Sequence, residues 1–306
     1  MSALTRRRLL SIAACAVLAG SARHDPAPRL RWRGVAFGGD VAITLDGPEA
    51  ITRPALARAR LEIEAYEARF SLFRADSDLV RLNAQGALAD LDPHWHAMLR
   101  LSDRLHRVTG GLFDPSIQPL WLAHATGGDT ERARALVGWD RIAKPGDGHR
   151  GLRLGAGQAL SFNGIAQGAA TDAVRDALHA AGMHRVLVDI GEVATLGGPW
   201  RLGIADPAFG QVATLELTDT ALAVSSPGAL QLDAQSSHIL HPRGSRRPLW
   251  STVAVRAGSA AVADGLSTAG CFLTLAQLQA AAQRIGGVAQ LIAQPQDGRA
   301  PHVITI

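Results

Sequence analysis

Residues 161–191 read SFNGIAQGAATDAVRDALHAAGMHRVLVDIG. The segment opens on a turn, Asn163-Gly164-Ile165-Ala166-Gln167-Gly168, with two glycines four apart. Neither has a Cβ, so the backbone can come close to another group there. Residues 169–181 then carry Ala173, Val174, Ala177, Leu178 and Ala181 at helical spacing, and Gly182 stands where a helix stops. Val186 to Ile190 is a β-rich run ending at Gly191. Backbone N–H groups at a helix N-terminus suit phosphate, and such a glycine turn also suits a metal. Read alone, the stretch is equally an ordinary loop–helix–strand unit.

On the N-terminal side the spacing predicts helices over 54–70, with Pro54 in the first turn, and over 92–108 and 129–137. A short helix capped by Asp76 or Ser77 is expected to stop at Asn83. Residues 35–45 read as a strand broken at Gly38-Gly39-Asp40, and 140–162 as short strands with turns. On the C-terminal side strands are expected at 200–205, 211–217, 221–225, 238–240 and 252–256. Helices over 259–273 and 276–285 and strands at 287–293 and 302–306 close the chain. Helices early and strands late give an α+β fold class, without βαβ alternation. Neither a dinucleotide-binding Gly-x-Gly-x-x-Gly after a strand nor a Gly-Lys-Ser/Thr phosphate loop occurs.

The chain of 306 residues is 47% hydrophobic and 19% charged, which places it among globular proteins. Residues 1–22 read as a cleaved secretory signal: Arg6-Arg7-Arg8, a short apolar run to Ala19, then Gly20-Ser21-Ala22. The paired arginines suit the twin-arginine route, so the expected location is periplasmic. Residues 23–33, rich in Pro and Arg, read as a linker to a domain over 34–306. Loss of Arg6, Arg7 and Arg8 takes the formal net charge from +4 to +1, so the basic balance gives no argument for nucleic acid. Cys15 goes with the signal, which leaves Cys271 without an intrachain disulfide partner.

Three stretches carry chemistry. In Ala263-Asp264-Gly265-Leu266-Ser267-Thr268, a helix would set Asp264 and Thr268 on one face. A carboxylate and a hydroxyl suit a hard cation such as Mg²⁺; the alternative is a Thr268 hydroxyl bonded back to the Asp264 carbonyl. In Ser237-His238-Ile239-Leu240-His241-Pro242-Arg243-Gly244, a histidine can serve as general base. No third ligand stands nearby at zinc spacing. Ser225-Ser226-Pro227-Gly228 lacks the Gly-x-Ser-x-Gly elbow of a serine hydrolase. Asn83 and Asp114 read by default as caps.

Taken in series these stretches resemble the ApbE family of FAD:protein FMN transferases, over nearly all of the chain after the signal. The family's dSel-x-rlN segment resembles Asp76 to Asn83, and its GG-x-FDpT segment Gly110 to Ser116. Its G-x-AKG-x-x-x-D resembles Gly164 to Asp172, its HIidPrtG resembles His238 to Gly244, and its ADalST resembles Ala263 to Thr268. The resemblance implies two α+β lobes with mixed or antiparallel sheets and an FAD cleft between them. It implies transfer of FMN from FAD to a Thr or Ser hydroxyl of a secreted or membrane flavoprotein, with release of AMP. Mg²⁺, or Mn²⁺ in its place, would be held by the Ala166 carbonyl, Asp264 and Thr268 with FAD phosphate oxygens. His238 would be the base. Phe73, Asn83, Asp114, Gly164, Ala166, Gln167, Gly168 and Ser225 would line the FAD site. The chain departs from the family at Gln167 for lysine, at Gly191-Glu192-Val193 for GGD, at His241 for an acid, and at Ser225-Ser226 for Ser-Gly. FAD pyrophosphate hydrolysis, or FAD binding with weakened turnover, are the alternatives.

Overall fold

The structure is a computed structural model and describes residues 15–17, 28–146 and 150–306. The expected signal lies outside the described residues except for Cys15–Val17, a short strand β1. Residues 23–27 of the expected linker lie outside them as well. Residues 29–33 are not linker. They begin β2 (Arg29–Ala36), where Leu30, Trp32, Gly34 and Ala36 turn inward and three arginines and Val35 turn out. That alternation has a period of two, which the arginine-rich composition hides.

An eight-stranded sheet organises the molecule. Its order is β13 (His302–Thr305), β12 (Val288–Pro295), β11 (Trp250–Ala257), β10 (Ala221–Ser225), β7 (Val193–Leu196), β6 (Val186–Asp189), β3 (Gly39–Asp46) and β2. Every pairing described in it is antiparallel. On one face pack the helices α1 (Glu49–Phe70), α6 (Ala166–Ala180), α7 (Ala260–Gly270) and α8 (Leu275–Ile285), sealed by one large apolar core. On the other face a hairpin of β8 (Trp200–Asp206) and β9 (Gly210–Leu217) covers Leu187, Val193, Leu222 and Val224. All five residues of β10 are therefore buried, covered on both faces. β1 pairs along the edge of β8.

A helical part, α2 (Asp78–Gln85), α3 (Pro93–Val108), α4 (Gln118–Thr126) and α5 (Thr130–Leu136), stands against the helices on the sheet. The two expected lobes correspond to this helical part and the sheet-bearing part, which share the same core. Phe70, Trp95 and Phe162 meet edge to face at the junction, with centroids 4.8–5.8 Å apart. β4 (Ala87–Leu88) and β5 (Leu152–Arg153) pair beneath it, and most of the remaining 140–162 segment is irregular.

Several boundaries move. Helix α1 starts at Glu49, so Pro54 sits inside it, where its ring removes one ladder bond. Helix α6 starts at Ala166, three residues earlier than the apolar spacing suggested. Helix α4 follows Asp114-Pro115-Ser116 and was hidden by those turn residues; Pro119 is tolerated in its first turn. Residues 238–240 form no strand: the His238 N–H donates to Leu230 O at 3.0 Å in a loop. Between β2 and β3, Phe37 (φ 52°) and Gly38 (φ 77°) make a tight hairpin turn. Left-handed backbone is unfavourable for Phe; its N–H is fixed by the Glu67 carboxylate at 2.8 Å, and the turn lies against Phe73.

Candidate active site

Where the helical part faces α6, α7 and the sheet, a cavity of about 850 Å³ opens. This volume lies in the upper range for ligand pockets. One wall is apolar and aromatic, with Phe73, Phe113, Ile117 and Trp121. The opposite wall is polar and comes from the turn before α6, the Gly191 turn, the end of β10 and helix α7. Among the described residues four acids line the cavity, Asp40, Asp114, Glu192 and Asp264, and no lysine or arginine does.

Asp264 lies in the first turns of α7, whose N-terminus is capped twice. Ser259 Oγ accepts from Val262 N–H, and Asp172 accepts from Ser259 Oγ and the N–H groups of Ala260 and Ala261. The aspartate of the G-x-A-x-G-x-x-x-D pattern is thus a helix cap between α6 and α7. Asp264 Oδ2 accepts the Gly168 N–H at 3.1 Å. Burial pushes the Asp264 carboxyl up to about 8, against that hydrogen bond. Glu192 is pushed well above the ordinary carboxylate range by burial and by the charge of Asp264, while Val224 N–H donates to it at 3.2 Å. Asp189, two residues before the Gly191 turn, is raised to about 6 by burial.

A chain of hydroxyls beside Asp264 has a fixed direction. Ser267 Oγ donates its only proton to the Asp264 carbonyl at 3.0 Å. In the 2.8 Å contact between Ser225 and Ser267, Ser225 must therefore donate. Its remaining contact, 3.3 Å to Thr268 Oγ1, then has Thr268 as donor. The back-bond expected of Thr268 is made by Ser267 instead, and the lone pairs of Thr268 stay available. Gly164 lies so close that a Cβ there would sit 3.1 Å from Thr268 Oγ1.

His238 lines the same cavity, and its Nδ1 lies 3.3 Å from Leu230 O. A carbonyl only accepts, so Nδ1 carries the proton in this contact, and the Pro227 carbonyl accepts from the ring as well. Burial holds the imidazole below its ordinary range.

Of the residues expected at the site, Phe73, Asn83, Asp114, Gly164, Ala166, Gln167, Ser225, His238, Asp264 and Thr268 all line the cavity. Gly168 does not. A Cβ there would come 2.5 Å from Ala260 O, so this glycine serves the α6–α7 contact and the bond to Asp264. Asn83 is anchored by two bonds to one residue: Nδ2 donates to Leu160 O at 2.8 Å, and Oδ1 accepts Leu160 N–H at 2.7 Å, which leaves one N–H and one lone pair. The Asp114 carboxylate is likewise taken up by Ser116 and the Trp139 N–H. Both residues are fixed in the wall by these bonds. The Gln167 amide lies over Gly191, where a Cβ would be 2.5 Å from Nε2. Glu192 and Trp121 were missed as site residues. A buried acid after Gly191 was the available signal for the first; the second lies in the unexpected helix α4.

Among the described residues no group of three or more His, Cys, Asp or Glu side chains could hold a metal. The donors that do meet are one carboxylate, one hydroxyl and the Ala166 carbonyl, which keeps a second lone pair beyond its helical bond. This all-oxygen set fits Mg²⁺ or Mn²⁺, with other positions left to water or phosphate. A buried carboxyl held protonated beside a second acid is also what an absent cation would ionise.

A search of curated proteins finds no match. Solved structures do match. The flavin transferase ApbE from Vibrio cholerae is 23% identical, covers 92% of this chain and 97% of its own, and superposes with a TM-score of 0.77. The apo flavinyl transferase ApbE from Pseudomonas stutzeri is 26% identical, with 91% and 94% covered and a TM-score of 0.74. The ApbE protein from Thermotoga maritima is 20% identical, with 91% and 97% covered and a TM-score of 0.78. The family model described as ApbE family matches residues 37–292, from the hairpin at the cavity's edge to the far strands of the sheet. On that match this chain belongs to the ApbE family.

Proposed function

We propose that this chain transfers FMN from FAD to a threonine or serine hydroxyl of a partner flavoprotein, releases AMP, and depends on a divalent cation. The observation that carries this reading is a single cavity lined by His238, by an Asp264–Thr268 oxygen pair and, among the described residues, by no lysine or arginine. A dianionic pyrophosphate cannot be neutralised there by the protein alone. Asp264, Thr268 and the Ala166 carbonyl would hold Mg²⁺, which would neutralise the pyrophosphate and polarise phosphorus.

The protein's own residues do the rest. Phe73, Phe113 and Trp121 offer flat apolar surface for the flavin ring. His238 Nε2 takes the proton of the acceptor hydroxyl. That oxygen bonds to the flavin-side phosphorus of FAD as the anhydride bond breaks, and AMP leaves with the bridging oxygen. The N-terminal signal pattern supports action outside the cytoplasm, on a secreted or membrane redox protein. No helix among the described residues is long and apolar enough to cross a membrane.

The test is incubation of the mature chain with FAD, Mg²⁺ and a range of exported flavoprotein domains. Covalent FMN on an acceptor, with AMP in equal amount, is expected; no FMN attached to any acceptor overturns the reading. Gln167 in place of a lysine, with Glu192 after Gly191, favours one second reading, FAD binding with weakened turnover. Tight FAD binding with no AMP released in Mg²⁺ or Mn²⁺ would support it.

A further inference from the structure

We infer that the basic loop beside His238, with the polar cleft behind it, docks an acidic peptide segment of the acceptor protein. This rests on the transferase reading above and names the chemistry of its partner.

The loop between β10 and β11 carries Arg243, Arg246 and Arg247, all exposed. Its one acid, Asp233, is engaged by other partners. It is bound by His124 at 2.6 Å and by the N–H groups of Gln235 and Ser236. Arg134 joins the cluster from α5, donating to the carbonyls of His241 at 3.1 Å and Gly244 at 3.0 Å. Arg243 donates to the carbonyl of Gly110, next to the cavity wall at Leu112 and Phe113. Arg134, Arg243 and Arg246 all bear on His241 and help to keep it uncharged. Among the described residues none of the four arginines has a carboxylate within ion-pair distance. Four clustered positive charges without counter-charges favour a negatively charged partner.

The position of the cluster selects the partner. A second cleft, of about 510 Å³, is lined by Gln231, Gln235, Ser237, Gln296 and Arg247. Ser237 directly precedes His238, and Pro227 of this cleft follows Ser226 of the first cavity. The His238 segment therefore borders both. Side-chain amides supply both donors and acceptors, which suits an extended peptide backbone. A chain lying in this cleft, its acids on the arginines, passes its hydroxyl close to His238. A lipid surface would ask for several apolar side chains beside the arginines, yet Leu249 is the only large hydrophobic exposed between 226 and 250.

The test measures binding and needs no transfer. A fluorescein-labelled peptide with one threonine among Asp and Glu residues is titrated with the FAD-loaded chain without metal. The same peptide with Asn and Gln in their place is the control. The acidic peptide is expected to bind about tenfold more tightly at low salt, and to lose that margin in about 0.5 M NaCl. Arg243→Gln/Arg246→Gln/Arg247→Gln should abolish the margin with FAD affinity retained. Arg31→Gln/Arg33→Gln, on the exposed face of β2, should keep it. Equal binding of the two peptides by the unchanged chain overturns the inference. So does a margin that survives in the triple variant. Acidic-peptide binding without FMN transfer would uphold the docking surface and count against the transferase reading alone.

Discussion

The Gly168 N–H donates to the Asp264 carboxylate at 3.1 Å, across a contact between α6 and α7 that admits no Cβ at residue 168. One backbone bond thus aims the carboxylate that the proposed chemistry needs. Asp264→Asn keeps an oxygen to accept that bond and should leave the fold intact. Metal-dependent AMP release should nevertheless fall by at least ~100-fold, because a carboxylate ligand is lost. Retained turnover in the Asn variant, measured by chromatography of AMP, would remove Asp264 from the metal site.

Gly168→Ala tests the contact itself. The new Cβ would meet Ala260 O at 2.5 Å and Ala261 Cα at 2.8 Å, both backbone atoms that cannot swing aside. A loss of ~1–3 kcal/mol is expected from denaturant unfolding. An unchanged midpoint would mean that α6 and α7 part readily.

The cation-free chain should lose stability as pH rises from about 4 to 8. Asp264 is raised from 3.8 to about 8 by burial, so over that window the folded state binds more protons than the unfolded one. Stability then falls with increasing pH. Mg²⁺ should reverse the slope and raise the melting temperature more at about pH 8 than at pH 5, with protons released on binding. A Mg²⁺ effect that is the same at both pH values would contradict this.

His238→Gln should lower transfer by about 100- to 10,000-fold while FAD affinity holds. Burial keeps the imidazole below its ordinary range, so the acid limb of the rate profile should lie below pH ~6.5. Unchanged transfer in the Gln variant would take the base role away from His238.

Gln167→Lys should raise turnover or leave it level, since among the described residues no lysine or arginine lines the cavity and the residue 167 side chain reaches Gly191 beside Glu192. A large loss, followed as AMP release at saturating FAD, would separate this loop from the phosphate site.

What the sequence disclosed was local. The glycine turn, helix and strand of 161–191 follow from spacing and turn residues, and the capping serines lie next to the helices they cap. What it concealed depends on distant partners. Asn83 is held by Leu160, 77 positions on, so nothing near Asn83 indicates what anchors its amide. Gly168 resembles a ligand glycine until Ala260 is brought against it. Helix α4 hides behind two prolines, and with it Trp121. The loop arginines give no hint of being unpaired until every other charge has a location.

The sheet order has a kinetic consequence. β3 pairs with β6, Ala42 opposite Asp189, across almost half the chain. The cavity likewise draws on residues from Phe37 to Thr268. Closing such long loops costs entropy before any contact repays it. The site therefore has no early fragment: until β6 arrives, one edge of β3 stands open to any passing strand, and the pocket exists only once nearly the last helix has docked.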